Sequence, residues 1–395
     1  MVDSNEQRLK RANLNSFVVL GFLEASWAPM VPFIKDRFGL DESQLGTLLM
    51  CTGIGSFFAL PIINRLCAIL GPKKVAISSG ILMALALLSV AYGNNLYLTA
   101  AALFVFGMST IGIDVATNIN AVIVESILKR PLMSGFHGGY SIGTLGGAAF
   151  VSFLLTMGFS LGTSSLVVMC LMFACMYIGC RGLLDSMDAE APAKEAEPAA
   201  QPQSAQSVFL PFKVIAVGAL CFIMYSTEGA VMSWSAVFAS QERGLSLEYA
   251  GFIYTAFAVS MTIMRLAGNR IVIRIGRCRT VVLGALLVAL GFVIIVSLPF
   301  IAGTVLGFLI IGFGAANIVP QLVSFAGTIR ECPVNRTISF INAFGYSGIL
   351  LGPVIIGYTS KAYGLPATFM GIGTLALLVA FAAGALLSRR NASDL

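Results

Sequence analysis

Charged side chains are scarce in this sequence. Asp, Glu, Lys and Arg make up 11% of the 395 residues, whereas hydrophobic residues make up 57%. A soluble globular protein of this length needs a larger charged fraction to cover its surface. The shortage therefore excludes a soluble globule and indicates a membrane protein with several spans. Short segments of alternating apolar and polar residues are also missing, which argues against a lipid-spanning β-barrel and favours helices.

Motifs of nucleotide-driven and metal-dependent chemistry are missing as well. The chain has one histidine and eight cysteines, and no two cysteines stand at C-x-x-C spacing, so we expect neither a metal site nor a cofactor. No phosphate-binding loop, zinc-protease motif or dinucleotide fingerprint occurs, which argues against an ATP-driven pump and against an enzyme. The net charge of +6 requires no nucleic-acid partner, because the basic residues are spread over short loops beside an anionic membrane surface.

Long apolar runs recur along the whole chain, most of them about 20 residues long. A helix that rises about 1.5 Å per residue needs this length to cross a hydrocarbon core of roughly 30 Å. The sequence therefore predicts an all-α membrane protein with twelve transmembrane helices. The predicted spans are 13–34, 44–66, 74–93, 98–126, 134–157, 160–181, 211–239, 247–267, 279–299, 303–328, 337–358 and 364–387.

Basic residues indicate the orientation of these spans. With a cytoplasmic amino terminus, all but four of the 24 Lys and Arg residues fall on the cytoplasmic side, the exceptions being Lys35, Arg37, Arg243 and Lys361. The positive-inside rule therefore predicts a multi-pass protein of a bacterial inner membrane with both termini in the cytoplasm.

One long polar stretch interrupts the apolar pattern. It is rich in Ala, Pro, Glu and Gln, and such a composition buries too little apolar area to fold. It predicts a cytoplasmic linker at 184–210. An N-terminal six-helix bundle would then occupy 1–183, and a C-terminal six-helix bundle would occupy 211–395.

Three landmarks of the first half recur in the second half at nearly one offset, about 205 residues. Because each half holds an even number of spans, both copies enter the membrane in the same orientation. The repeat predicts two six-helix halves related by a pseudo-twofold axis along the membrane normal. The paired landmarks are Glu24 with Glu228, 64–71 with 269–276, and 140–147 with 346–353.

The basic turns that follow the second and eighth spans resemble the basic turn of the major facilitator superfamily. They occupy 64–74 and 269–279, and Ala68 and Ile273 stand where that motif has Asp. The substitution argues against a gate locked by an Asp–Arg pair there. The resemblance implies the twelve-helix fold of the superfamily and transport by alternating access.

Four further stretches resemble the fucose-permease-like branch, in particular YbjJ-type inner-membrane transporters; they are 24–27, 114–118, 131–147 and 228–235.

Three acids lie inside predicted spans: Glu24 in the first, Asp114 in the fourth and Glu228 in the seventh. Each costs roughly 2.5–3.5 kcal/mol or more at mid-membrane unless it faces a cavity, finds a donor or is protonated, so we expect all three to point inward. Burial away from a cation favours the neutral carboxyl group and brings proton uptake toward physiological pH. The fucose permease uses acids on helices 1 and 4, and the resemblance implies proton-coupling roles for Glu24 and Asp114. The alternative is that Glu24 and Glu228 brace broken helices.

Aromatic and amide side chains within the spans are the candidates for contact with a solute. Trp27 follows Glu24 by three positions, which predicts a shared helical face. An indole ring can stack on a sugar, and the alternative for both tryptophans is the aromatic belt at the membrane interface. Amides can bind hydroxyl groups or bridge helices. Asn118 follows Asp114 by four positions, which predicts a shared helical face for these two side chains. The candidate substrate-binding residues are Trp27, Asn118, Glu228, Trp234, Asn317 and Gln321.

Basic side chains near the cytoplasmic ends of spans are the candidates for gating. His137, the single histidine, lies at the start of the fifth span, where a gating or packing role is expected. Arg65 and Arg270 of the two basic turns are the other gating candidates. Charge networks that close the cytoplasmic side are expected at the end of the fourth span, with Glu125 and Arg130, and at the end of the tenth span, with Arg330 and Glu331.

Together these features predict a secondary active transporter that moves a small polar solute by alternating access. We expect proton-coupled symport of a sugar or polyol, with the solute, protons and the lipid bilayer as partners; a monomer suffices for this mechanism. Phe- and Met-rich spans leave proton-driven export of drugs or metabolites as the alternative. A membrane sensor or assembly factor would need a folded soluble module, which the composition of 184–210 does not support.

Overall fold

The structure is a computed structural model that describes residues 2–130, 132–184, 210–329 and 331–388. All regular elements in these ranges are helical, and two of them are short 3-10 turns, Ala28–Met30 and Cys180–Gly182. The α-helices are α1 (Val2–Ala25), α2 (Val31–Arg37), α3 (Glu42–Leu70), α4 (Pro72–Tyr92), α5 (Leu96–Leu128), α6 (Met133–Thr156), α7 (Leu161–Gly179), α8 (Phe212–Arg243), α9 (Leu247–Ile275), α10 (Arg277–Ser297), α11 (Ile301–Ala315), α12 (Ile318–Ala326), α13 (Val334–Tyr363) and α14 (Leu365–Ser388).

Twelve helical segments of the described chain are long and apolar enough to cross a membrane. The predicted all-α membrane fold with twelve transmembrane helices is therefore confirmed. Large apolar side chains such as Phe57 and Phe381 are 70% and 81% exposed. In a membrane, lipid rather than water surrounds such side chains, so their exposure carries no hydrophobic cost.

Two of the predicted spans are interrupted rather than continuous. The first consists of α1, the 3-10 turn at Ala28–Met30 and α2. Pro29 and Pro32 lack the amide hydrogen that would continue the ladder of α1, which explains why that helix ends at Ala25. The tenth consists of α11 and α12, which are separated at Ala316 and Asn317. Pro320 follows in the first turn of α12, where proline is tolerated.

The turns after α3 and α9 have the same backbone conformation, as the sequence repeat suggests. Each consists of one glycine: Gly71 has φ 85° and ψ 150°, and Gly276 has φ 81° and ψ 160°. Other residues rarely adopt such φ values. The preceding helices extend to Leu70 and Ile275, beyond the predicted span ends at 66 and 267, because no proline lies in 67–70 or 268–275. Arg65 and Arg270 are therefore helical rather than part of a loop.

By their internal contacts, the residues form two compact units. Unit 1 comprises Met1–Ser26, Ile54–Gly147 and Ser160–Phe209, and unit 2 comprises Trp27–Gly53, Ala148–Phe159 and Leu210–Leu395. Unit 2 therefore includes two segments from the first half of the sequence. The predicted bundles at 1–183 and 211–395 follow the sequence duplication and stay a prediction. Most of the predicted linker, 185–209, lies outside the described residues.

Aromatic packing holds the helices of unit 2 together. The ring of Phe369 in α14 stacks on Phe238 of α8 at 4.8 Å between centroids. Phe292 of α10 and Phe308 of α11 meet the same ring edge-on at 5.5 and 6.3 Å. All four side chains are fully buried, and each such aromatic pair contributes about 0.5–1.5 kcal/mol beyond its buried area. This cluster fixes α8, which carries Glu228, against three neighbouring helices.

Candidate functional site

In unit 1, Glu24 in the last turn of α1 is held by a tyrosine of α6. The Tyr140 hydroxyl donates a hydrogen bond of 2.9 Å to Oε2 of Glu24. The two helices approach closely here, because a Cβ atom at Gly21 would lie 2.2 Å from the Tyr140 carbonyl oxygen. Only glycine fits at this position. A phenol hydroxyl can donate to the ionised or to the protonated form of the carboxyl group, so this contact suits both.

Asp114 and Asn118 lie one turn apart near the middle of α5. The Asn118 amide donates from Nδ2 to Oδ1 of Asp114 and to the Asp114 carbonyl oxygen, both at 2.9 Å. The shared face predicted from their spacing is confirmed. Within the described residues, Asp114 forms no ion pair. Its donor is neutral, so protonating this carboxyl group breaks no ion pair with the described chain.

In unit 2, Glu228 has a cationic partner that the sequence analysis missed. Glu228 lies near the middle of α8, and Nη2 of Arg265 in α9 approaches its Oε2 at 3.4 Å. The two side chains are 20% and 30% exposed, respectively. The predicted eighth span ends at residue 267, which placed Arg265 among the basic residues at the cytoplasmic end of that span. The signal that would have found it is the absence of a helix breaker before Gly276, which places Arg265 well inside α9.

Two tyrosines accompany the Glu228–Arg265 pair. Tyr225 precedes Glu228 by about one turn of α8, and its ring stacks on Tyr346 of α13 at 5.5 Å and 27°. Tyr225 also lies within electrostatic range of both Glu228 and Arg265. Tyr346 is related by the sequence repeat to Tyr140. The repeat-related tyrosines therefore make different contacts, one to a carboxylate and one to an aromatic ring.

Both tryptophans are buried within unit 2. Trp27 is 3% exposed and Trp234 is 0% exposed. Burial inside the protein differs from the lipid-facing position of an aromatic belt. Trp27 follows the end of α1 at Ala25 but keeps helical backbone angles, φ -68° and ψ -39°, and its predicted shared face with Glu24 stays a prediction. The Trp234 indole nitrogen has no hydrogen-bond partner among the described residues.

The amides of the tenth span lie at its break. Asn317 donates from Nδ2 to the carbonyl oxygen of Met264 at 3.0 Å, and thereby connects the break to α9. A Cβ atom at Gly268 would lie 2.1 Å from Oδ1 of Asn317, so the side chain packs directly on the α9 backbone. Gln321 is half-buried one turn later, and its backbone N–H donates to the Asn317 backbone carbonyl oxygen at 3.3 Å. Asn317 thus fixes the helix that carries Arg265.

The gating candidates are exposed. His137 contacts the ring of Phe17 edge-on at 5.2 Å. Arg65 and Arg270 lie in the last two turns of α3 and α9, and both are exposed. Among the residues that the structure describes, no group of three or more His, Cys, Asp or Glu side chains could hold a metal ion.

Of the residues expected in charge networks, Arg130 and Glu331 form ion pairs and Glu125 forms a helix cap. Glu125 accepts hydrogen bonds from the backbone N–H groups of Leu132 and Met133, so it caps the start of α6 instead of pairing with Arg130. Free N–H groups at a helix start explain this preference. Arg130 pairs with Glu6 at 3.0 Å, and Glu331 pairs with Lys213. Arg330 lies outside the described residues.

Known proteins resemble this chain over nearly its whole length. The sequence profile of the Major Facilitator Superfamily matches residues 14–329. The chain belongs to this superfamily. An uncharacterized MFS-type transporter of Yersinia pestis is 39% identical over 371 residues, which cover 94% of each chain. An uncharacterized transporter of Sinorhizobium fredii, y4wD, is 29% identical over 94% of this chain and 96% of that protein. Among solved structures, a mutant of the nucleoside transporter NupG has a TM-score of 0.75 at 14% identity, covering 97% of this chain and 99% of that chain.

These relationships confirm the coarse part of the sequence interpretation. The superfamily expected from the two basic turns is the right one, although neither turn has the Asp of the usual motif. The chain is a multi-pass MFS transporter and not an enzyme. At 14% identity, the similarity to NupG shows a common fold but does not identify the solute of this protein.

Proposed function

We propose that this MFS transporter is a proton-coupled secondary active transporter of the fucose-permease-like, YbjJ-type branch. It imports a small polar solute, a sugar, polyol or related metabolite, by alternating access. It acts as a monomer in a bacterial inner membrane with both termini in the cytoplasm. Its two six-helix halves, 1–183 and 211–395, move about a pseudo-twofold axis, and 184–210 connects them.

The observation that carries this proposal is the neutral partner of Asp114. A carboxylate inside a membrane is costly, and protonation relieves that cost. The only described donor to the Asp114 carboxyl group is the Asn118 amide, which tolerates either protonation state. Asp114 can therefore gain and lose a proton without breaking an ion pair with the described residues. Glu24, with its hydrogen bond from Tyr140, is the second proton-coupling acid.

The remaining candidates divide into two roles. Asn118, Glu228 and Gln321 contact the solute from half-buried positions, and the buried Trp27, Trp234 and Asn317 shape the site. The exposed His137, Arg65 and Arg270 act in gating at helix ends. Asn317 supports its helix break in addition to any solute contact, since its amide is already engaged by Met264.

The test uses proteoliposomes that enclose a pH-sensitive dye. Adding a transported solute outside should acidify the interior if the solute and protons move together. Wild type should accumulate solute under an inward proton gradient, whereas Asp114→Asn should lose accumulation by about tenfold or more while retaining solute exchange at equal concentrations. Exchange needs no net proton release, so its retention separates a coupling defect from a folding defect. Glu331→Gln, the same chemical change at an exposed ion pair, should leave accumulation unchanged.

Three results would decide against the proposal. If Asp114→Asn and Glu24→Gln both accumulate solute at the wild-type level, neither acid couples proton movement to transport. Solute-driven alkalinisation of the interior would indicate proton-driven export, the alternative function. If the protein transports no compound from a broad panel of sugars, polyols and related metabolites, the proposed solute class is excluded.

A further inference from the structure

We propose that Arg265 binds the carboxylate of a hydroxylated acid, and that Glu228 engages the same guanidinium when no such solute is bound. The inference rests on the proposed transport function and narrows its solute class. The solute is a polyhydroxy monocarboxylate, such as an aldonic or uronic acid, rather than a neutral sugar or polyol.

The first support is the loose geometry of the Glu228–Arg265 pair. A guanidinium carries five N–H donors in a planar fork that matches a carboxylate through two parallel bonds. Arg265 uses one of them toward the described residues, the contact of Nη2 with Glu228 at 3.4 Å. A well-formed charge-assisted bond measures about 2.7–2.9 Å. Glu228 therefore leaves the fork of Arg265 available for two-pronged binding, and the side chain is exposed enough, at 30%, for a ligand to reach it.

The second support is the position of Arg265 within its helix. The residue lies well before the end of α9, among apolar residues of a membrane span. An arginine there is costly and commonly lines a substrate pathway. The Asn317 amide holds the carbonyl oxygen of Met264, the residue before Arg265, and its side chain packs on Gly268. The guanidinium is therefore carried by a fixed backbone, which lowers the entropic cost of binding a ligand.

The third support is the aromatic surface beside the pair. Tyr225 and Tyr346 stack on each other, and Tyr346 remains 48% exposed. Aromatic faces pack on the C–H groups of a polyhydroxy chain, while amides and carboxylates bind its hydroxyl groups. A charged fork next to two tyrosine rings thus fits a molecule with one anionic end and a hydroxylated carbon chain.

The charge of the cluster favours a monoanion over a dianion. Arg265 and Glu228 together are neutral when both are ionised, so a carboxylate adds one negative charge and a phosphate about two. Like charges repel strongly in a medium of low dielectric constant, which disfavours the dianion beside Glu228. Arg265 is the one cation of the described residues that pairs with Glu228.

The test measures binding by purified full-length protein in detergent, without a proton gradient. D-gluconate and D-glucitol share a carbon chain and most hydroxyl groups and differ in whether the first carbon is a carboxylate. A ligand that binds the folded state raises the melting temperature according to its concentration relative to Kd. We expect a rise with gluconate, confirmed by calorimetry, and no comparable rise with glucitol. D-glucuronate and D-glucose form a second matched pair with the same expected difference.

Variants locate the carboxylate site. Arg265→Gln should weaken gluconate binding about ten- to a hundredfold, and Arg265→Lys, which keeps the charge but loses the fork, should also weaken it. Glu228→Gln removes the carboxylate that competes for Arg265 but keeps a side chain that can hydrogen-bond the hydroxyl groups of the solute, so it should tighten gluconate binding severalfold. If Arg265→Gln alone does not fold, the double variant Arg265→Gln with Glu228→Gln replaces it, because it leaves no unpaired charge.

Several outcomes would overturn the inference. They are equal shifts by the acid and the alcohol of each pair, no shift by either acid, and an unchanged preference for the acid in the Arg265→Gln protein. Binding and proton coupling fail separately in this design. Gluconate binding without proton flux in proteoliposomes would overturn the proposed coupling alone, and proton-linked polyol uptake without gluconate binding would overturn this inference alone.

Discussion

Glu24 in unit 1 and Glu228 in unit 2 occupy related positions of the sequence repeat, yet their partners differ. Glu24 accepts from the Tyr140 phenol, whereas Glu228 faces the Arg265 guanidinium. The position in the first half that corresponds to Arg265 holds Leu60, an apolar residue that is 47% exposed. The duplication has kept an acid in each half while its surroundings have diverged. Under the two proposals made above, unit 1 exchanges the proton and unit 2 recognises the anion.

The largest expected effect on stability comes from removing the cation of unit 2. Arg265→Gln leaves Glu228 ionised in a membrane span without its partner. Breaking a fully buried pair costs about 3–5 kcal/mol, and the partial exposure of this pair reduces the expected cost to about 1–3 kcal/mol. The double variant with Glu228→Gln should recover most of the loss. Thermal or chemical unfolding in detergent measures both, with Lys213→Met at an exposed ion pair as the control.

Removing the Asp114 charge in unit 1 should affect transport strongly and stability little, the reverse of what is expected for Arg265→Gln. Asp114→Asn removes a charge whose described partner is the neutral Asn118, so the free energy of unfolding should change by less than about 1 kcal/mol or rise. Proton-driven accumulation should nevertheless be lost. If Asp114→Asn destabilises the protein as much as Arg265→Gln does, the contrast between the two units does not hold.

A smaller effect is expected at the hydrogen bond between α1 and α6. Tyr140→Phe removes one neutral donor to Glu24, which should cost about 0.5–1.5 kcal/mol. A double-mutant cycle with Glu24→Gln measures the coupling between the two side chains. A coupling energy near zero would show that the Glu24 carboxyl group is held by something other than this phenol.

The smallest expected effect is on the pH dependence of stability and comes from Asp41, which lies outside the membrane spans. It is the reference for the acids within the spans. The Gln44 backbone N–H, the Ser43 hydroxyl and the Lys361 ammonium hold the pKa of Asp41 well below its usual range. A carboxyl group with a lowered pKa in the folded state stabilises it above the unfolded pKa, about 4, and loses that contribution as the pH falls through the lowered value. Asp41→Asn should therefore flatten the decline of melting temperature below about pH 4. The change should be slight, because the Asp41 side chain is 36% exposed and solvent screens it.

Local sequence patterns predicted much of the fold and some of the site. Apolar length predicted the twelve spans, and helical spacing predicted the contact between Asp114 and Asn118. Single glycines in related turns, Gly71 and Gly276, preserve the repeat in the backbone. These features depend on neighbours within one or two helical turns, so a single sequence contains them.

The partners of the two related glutamates could not be predicted, because they come from distant segments. Tyr140 reaches Glu24 only because Gly21 allows α1 and α6 to approach closely. Arg265 was misplaced because the end of α9 was set by hydropathy, which falls at the charged residues, although the helix continues to Ile275. The break before Trp27 was missed for a related reason, since hydropathy does not respond to the missing amide hydrogens of Pro29 and Pro32.

Unit 2 is built from segments that are synthesised at different times. Unit 1 contains no residue beyond Phe209, whereas unit 2 combines Trp27–Gly53 and Ala148–Phe159 with Leu210–Leu395. The first part of α3 packs on α13 so closely that a Cβ atom at Gly46 would lie 2.8 Å from the Pro353 carbonyl oxygen. On the ribosome, this segment is made long before the helix that receives it. A nascent chain interrupted after residue 209 holds all of unit 1, but Trp27–Gly53 and Ala148–Phe159 then lack the part of unit 2 that Leu210–Leu395 supplies.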